Sequence, residues 1–204
     1  MSDRGDRHDH DHQPSEAELY LADRREIRLG DRVSVSGWIL DLGGGGEGVI
    51  GQLYGDRVVA IDRRKEELEE AAGGPLKVIA DAGRLPFLDD TFAAATAFFF
   101  WFYVPTAEQP ALFAEAARVL RPGGRLHIWD ADIPPREERT QRIYAVPLVV
   151  HLPDRTIETG YGTRWKGRTQ TVDSLVRAGE GAGFVIEERH ADGGLITLTA
   201  SLGG

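Results

Sequence analysis

Short apolar runs recur along this chain at 38–42, 57–61, 76–80, 94–100 and 125–130, each the length of a buried strand. Between them, 47–54, 63–71 and 107–120 read as helices. Strands that alternate with helices in this way predict an α/β protein with a doubly wound parallel sheet. The third helix carries an apolar stripe of Leu112, Phe113, Ala116, Val119 and Leu120. Thr106 with Gln109 predicts a capping box at its start, and Arg121-Pro122-Gly123-Gly124 its stop. A last helix over 171–182, ended by Gly183, precedes strands at 184–190 and 194–201 that are expected to pair antiparallel.

Two segments break the alternation. Leu19-Tyr20-Leu21 and Val33-Ser34-Val35-Ser36 flank a Gly30-Asp31 turn and predict a hairpin over 19–36. The stretch 130–171 is too long for a simple connection. It predicts a lid-like insertion over about 133–170, with strands at 145–152 and 156–161 around a Pro153-Asp154 turn, inside one domain spanning 19–204. Residues 1–18 are polar, with His8, His10 and His12 alternating with Asp9 and Asp11. Their composition predicts a disordered leader rather than a metal-binding tail.

The candidate chemistry is concentrated between 41 and 62. An apolar strand runs into Asp41, a glycine cluster (43–46, then Gly48), a short helix, a second apolar strand and a closing Asp62. Glycine lets a turn reach positive φ and lets a ligand touch bare backbone, while a carboxylate closing the second strand suits a ribose. The unit reads as a nucleotide or nucleoside site. Gly43, Gly45 and Gly48 also satisfy the G-x-G-x-x-G spacing of dinucleotide sites, so a nicotinamide-dependent oxidoreductase is an alternative. Asp41 counts against it, because a carboxylate before the glycines repels a pyrophosphate and favours an ammonium group.

Ile39-Leu40-Asp41-Leu42-Gly43-Gly44-Gly45-Gly46-Glu47-Gly48 resembles the first motif of class I S-adenosylmethionine-dependent methyltransferases of the small-molecule, type 11-like group, an apolar strand followed by D-x-G-x-G-x-G. Asp62 is similar to that family's ribose-binding acid. Ile79-Ala80-Asp81-Ala82 with Leu85-Pro86-Phe87 and Asp89-Asp90-Thr91-Phe92 resembles its D-A-x-x-L-P-F-x-D-x-x-F stretch, and Arg118-Val119-Leu120-Arg121-Pro122-Gly123-Gly124 its R-V-L-x-P-G-G turn. The resemblance covers roughly 37–132 and implies a Rossmann-like seven-stranded sheet with a reversed strand, in a three-layer α/β/α sandwich. Glu47 stands where the third motif glycine is expected, and Phe92 is followed by Ala93-Ala94-Ala95 instead of an acid. A catalytically altered protein that keeps the fold and ligand is therefore a further alternative.

The resemblance implies S-adenosylmethionine as cofactor and S-adenosylhomocysteine as product. It places Asp41 toward the methionine ammonium, Gly43 and Gly45 against the ligand backbone, and Glu47 facing the ligand. Asp62, with Arg63 beside it, takes the ribose hydroxyls; Asp81 and the Ala82 amide take the adenine; Phe98 and Phe99 line the sulfonium side. On the acceptor side, His151 is the candidate general base, since its titration range suits the role. Trp101, Tyr103, Tyr161 and Trp165 are candidates to stack an acceptor, and His127, inside a core strand, is expected to be buried structure.

Composition narrows the function classes. With 204 residues, 41% of them hydrophobic, the chain can bury a full single-domain core. The absence of cysteine removes disulfides, cysteine-ligated zinc and any thiolate nucleophile. A net charge of −9 disfavours a nucleic-acid partner and leaves a small-molecule acceptor. No apolar run approaches the roughly 20 residues of a membrane helix. With a polar start in place of a signal peptide, a cytoplasmic location is expected.

Overall fold

The structure, a computed structural model, describes residues 15–30, 33–34 and 36–203. In chain order the elements are β1 (Leu19–Leu21), β2 (Arg25–Arg28), β3 (Ile39–Leu42), α1 (Val49–Tyr54), β4 (Val58–Asp62), α2 (Lys65–Glu70), β5 (Leu76–Ile79) and β6 (Phe92–Phe98). They continue with α3 (Gln109–Val119), β7 (Leu120–Ala131), β8 (Ile143–His151), β9 (Thr156–Arg164), α4 (Val172–Gly181), β10 (Phe184–Asp192) and β11 (Leu195–Leu202). The His-rich residues 8–12 lie outside the described residues.

Seven strands form one sheet in the order β10-β11-β7-β6-β3-β4-β5. The strands from β3 to β7 pair in parallel, while β11 runs antiparallel to both β7 and β10. This is the expected doubly wound sheet with its reversed strand. The chain moves outward from β3 through β4 to β5, then returns to β6 on the other side of β3. That reversal opens a crevice beyond the carboxyl ends of β3 and β6.

Period-two alternation gives the sheet two cores. Leu40, Leu42, Val59, Ile61, Ala95 and Ala97 pack against Phe113, Ala116 and Val119 of α3 and Leu175 and Val176 of α4. On the opposite face Ile39, Val58, Ala60, Ala94 and Phe98 meet Val49 and Ile50 of α1 and Leu68 of α2. The rest of that layer is a second, smaller sheet, which joins the same core through Tyr144, Val146, Leu148 and Val150. The three-layer arrangement thus has one outer layer shared by helices and strands.

In the second sheet β8 pairs antiparallel with β9 along its whole length. The other edge of β8 carries β1 and then β2, both parallel to it, from Leu19 opposite Ile143 to Arg28 opposite His151. The expected hairpin over 19–36 does not form. The alternating pattern of 19–21 finds its partner far along the chain, β2 continues the same edge, and Val33, Ser34 and Ser36 belong to no strand. Val35 lies outside the described residues.

Two helix starts differ in their chemistry. The expected Thr106–Gln109 box is absent: the Thr106 hydroxyl donates to the Thr169 carbonyl at 2.8 Å, and Gln109 turns inward to Gln170 at 3.0 Å. Tertiary partners outcompete the local cap. At α4, Thr171 and Ser174 cap each other's backbone amides reciprocally. The Arg121–Gly124 turn is a bulge inside β7, with Leu120 opposite Phe92 and Arg125 opposite Ala94. Among the described residues no helix is long and apolar enough to cross a membrane.

Candidate functional site

A cavity of about 1060 Å³ opens at the switch point. It is built from the carboxyl ends of β3, β4, β5 and β6, the glycine loop after β3, and β9 of the second sheet. Asp41, the third residue of β3, lies between Ala60 and Thr96 in the sheet register and is only 2% exposed. The Thr96 hydroxyl donates to its Oδ1 at 2.9 Å. Burial pushes Asp41 up to about 7 against the Thr96 bond, and the Asp62 charge adds to the rise. No donor from the described residues reaches Oδ2.

The glycine loop is packed so closely that side chains are excluded. A Cβ on Gly44 would lie 2.6 Å from Asp41 Oδ2 and 2.8 Å from Ala60 Cβ. One on Gly45 would lie 2.5 Å from Glu67 Cβ and 3.0 Å from Asp62 Oδ2. The loop is anchored by Gly44 N–H to the Ile61 carbonyl and Gly46 N–H to the Glu67 carbonyl, both 2.9 Å. The bare backbone and two carboxylates form a cradle suited to a hydroxyl- and ammonium-bearing ligand.

Around the rim, Asp62 Oδ1 accepts the Arg64 amide and Asp81 Oδ1 the Gly83 amide, each at 2.9 Å, so each carboxylate keeps acceptor capacity. Arg63 reaches Asp81 at 3.8 Å, and Arg64 pairs with Glu67 at 2.8 Å. Behind this rim, Arg118 ties down the Leu85-Pro86-Phe87 turn. It donates to the Leu85 carbonyl at 3.1 Å, the Phe87 carbonyl at 2.9 Å and Asp89 at 2.7 Å, and it pairs with Glu115. Glu115 in turn accepts the Leu85 amide at 2.7 Å. Its arginine bond holds the Glu115 carboxyl below the usual carboxylate range. Carboxylates dominate the lining: Asp41, Glu47, Asp62, Glu67, Glu70, Asp81 and Glu108 against Arg63 and Arg64.

The other end is aromatic. β6 ends at Phe98, and Phe99 follows at a positive φ of 51°. The Phe99 ring stacks on Tyr161 of β9 at 4.4 Å. Phe100 and Tyr103 complete the wall, with Tyr103 45% exposed. Both Tyr hydroxyls are pushed above the usual tyrosine range, chiefly by burial.

Asp41, Gly43, Gly45, Glu47, Asp62, Arg63, Asp81, Ala82, Phe98, Phe99, Tyr103 and Tyr161 therefore all line one cavity. Three candidates stand elsewhere. Trp101 is fully buried, stacked at 4.0 Å on Phe113 in the core beneath α3. Trp165 packs against Tyr20 and Tyr144 and donates through Nε1 to the Pro134 carbonyl at 2.7 Å. His151, at the far end of β8, sits 3.1 Å from Glu26 and 3.3 Å from Thr156. None of the three lines the cavity. His127 is buried in β7, and burial pushes it down to about 4.

Several working residues were not singled out from the sequence. Thr96 was legible as the one hydroxyl in the run Ala93-Ala94-Ala95-Thr96-Ala97. Asp130 is fully buried and accepts the amides of Phe102 at 3.1 Å and Ala131 at 2.8 Å, with Gln170 at 2.9 Å. It fixes the 101–103 turn that carries Tyr103. Burial pushes its carboxyl up to about 7.

Residues 40–128 match a family model described as a methyltransferase domain. The chain is 33% identical over 135 residues to the demethylmenaquinone methyltransferase of Mycolicibacterium paratuberculosis, covering 61% of this chain and 56% of that protein. It is 39% identical over 114 residues to the Mycobacterium tuberculosis protein of the same name, covering 54% and 48%. The matches thus span about half the length of these relatives. A solved S-adenosylmethionine-dependent methyltransferase from Methanosarcina mazei superposes with a TM-score of 0.62 at 17% identity, over 87% of this chain and 99% of that one. At that identity the superposition shows the fold.

Proposed function

We propose that this chain, which carries a class I S-adenosylmethionine-dependent methyltransferase domain, transfers a methyl group to a small, ring-bearing acceptor. The observation that carries the reading is convergence. Asp41 with the bare glycine loop after it, Asp62 and Asp81 come from three separate segments and meet in one cavity whose opposite end is aromatic. S-adenosylmethionine, when bound, supplies a methyl group on an electrophilic sulfonium. The chain's residues need only bind, orient and shield.

Asp41 and the other carboxylates suit a cationic donor, and Asp62 suits a vicinal diol. Phe98, Phe99 and Tyr161 exclude water from the acceptor end. Holding two reactants in near-attack geometry supplies several kcal/mol of a displacement barrier, and a base is needed only where the acceptor must lose a proton. The name of the mycobacterial relatives points to a quinone-type acceptor, in keeping with the aromatic wall.

The test is release of S-adenosylhomocysteine from the methyl donor in the presence of a panel of phenols, quinols and amines. Acceptor-dependent release from a ring-bearing compound supports the reading. Donor binding without release from any panel member would favour a binding protein of the same fold.

A further inference from the structure

Glu47 occupies the loop position where the resemblance calls for glycine, and its side chain spans the cavity instead of facing away from it. One carboxylate oxygen accepts the Thr159 hydroxyl and the other the Tyr161 hydroxyl at 3.1 Å; both partners lie on β9 of the second sheet. The Gln52 side chain holds the Glu47 carbonyl at 2.6 Å, which fixes the loop end of the bridge. At the far end, the Tyr161 ring lies flat on Phe99 at 18° between planes and meets Tyr103 edge-on. Phe99 in turn is fixed by its amide to the Trp129 carbonyl at 2.7 Å. The chain from glycine loop to acceptor wall is therefore continuous: Glu47, Tyr161, Phe99.

Resting on the methyltransferase reading, we infer that Glu47 is a positioning residue that holds Tyr161 as the acceptor-side wall and thereby selects flat, ring-bearing acceptors without negative charge. Shape comes from the Tyr161 ring, which lines the cavity and is backed on one face by the buried Phe99 ring at 4.4 Å. Charge selection comes from Glu47 itself and from the carboxylates beside it, because Arg63 and Arg64 are already paired with Asp81 and Glu67. An anionic acceptor would enter this field with no free cation among the described lining residues to meet it.

The experiment uses the full chain saturated with S-adenosylhomocysteine, with 2-naphthol and 2-naphthoate as probes in calorimetric titrations. Wild type is expected to bind 2-naphthol saturably and 2-naphthoate at least about tenfold more weakly. Glu47→Gly is expected to weaken 2-naphthol about tenfold, more than it weakens S-adenosylhomocysteine, and Glu47→Gln to recover part of the loss. Tyr161→Phe added to Glu47→Gly should cost nothing further, since the hydroxyl acts through the carboxylate.

Unchanged 2-naphthol binding in Glu47→Gly, additive losses in the double variant, or equal binding of the two probes would each overturn the inference. So would wild type that binds S-adenosylhomocysteine and ignores 2-naphthol. Failure to bind S-adenosylhomocysteine at all would instead sink the methyltransferase reading.

Discussion

Thr96 donates a 2.9 Å hydrogen bond to Asp41 from the neighbouring strand, in register and out of contact with water. The bond orients a carboxyl group that burial holds near a pKa of about 7, at the mouth of a glycine loop, with no donor from the described residues on its second oxygen.

A pH dependence follows from this pair. An acid whose folded pKa is raised keeps its proton in the folded chain after the unfolded chain has lost it. Its contribution to stability is full below the unfolded value of 3.8 and is lost as pH rises through about 7. Asp41→Asn, which keeps an acceptor for Thr96, should therefore gain thermal stability relative to wild type between pH 5 and pH 8. Because a cationic methyl donor favours the ionised carboxylate, wild-type affinity for it should rise over the same window with proton release. In the Asn variant the profile should be flat; calorimetry in buffers of different ionisation enthalpy reads both.

Gly44→Ala should abolish tight nucleoside binding. Its Cβ would fall 2.6 Å from Asp41 Oδ2 and 2.8 Å from Ala60 Cβ, one in the site and one in the sheet, so the loop must move. A loss of at least about tenfold in S-adenosylhomocysteine affinity is expected. Gly55→Ala has open space for its Cβ and serves as the control, with strain at a positive φ of 58° costing stability instead of binding.

Arg118→Ala removes the donors that tie the Leu85–Asp89 turn to α3. Two carbonyls and two carboxylates lose a charged partner, and roughly 2–4 kcal/mol of stability should go with them. Because Asp81 and Ala82 lead into that turn, weaker S-adenosylhomocysteine binding should accompany the fall in melting temperature. Hydrogen exchange at Leu85, whose amide bonds Glu115, locates the loosened segment.

The grouping of the candidate nucleoside residues in one cavity was legible because its parts are local. Asp41, the glycines, Asp62 and Asp81 each sit at or just past a strand end marked by a change in hydrophobic period, and a parallel sheet brings strand ends together. The parallel sheet was readable from the alternation of strands and helices, and its reversed strand from the family resemblance. What the sequence hides is long-range. Glu47 finds Tyr161 across 114 positions and Gln109 finds Gln170 across 61, with no local pattern to announce either pair. The 19–21 segment reads as half of a hairpin, yet its edge is satisfied by β8. Trp101 and Tyr103 look alike as candidates on one turn, but the turn geometry that Asp130 imposes sends the first into the core and the second to the cavity.

His151→Ala should leave S-adenosylhomocysteine affinity and methyl transfer within about twofold of wild type, a change under about 0.5 kcal/mol. The side chain is engaged by Glu26 and Thr156 on the second sheet and does not line the cavity. A large drop in turnover at unchanged melting temperature would return it to the catalytic machinery.

The central claim, that four strand ends build one S-adenosylmethionine site, is tested most directly by calorimetric titration of wild type and Asp62→Ala with S-adenosylmethionine and S-adenosylhomocysteine. Saturable binding of both by wild type, weakened at least about tenfold in the variant at unchanged fold, is the predicted result. Folded wild-type protein that binds neither ligand, or a variant that binds both as well as wild type, would contradict it.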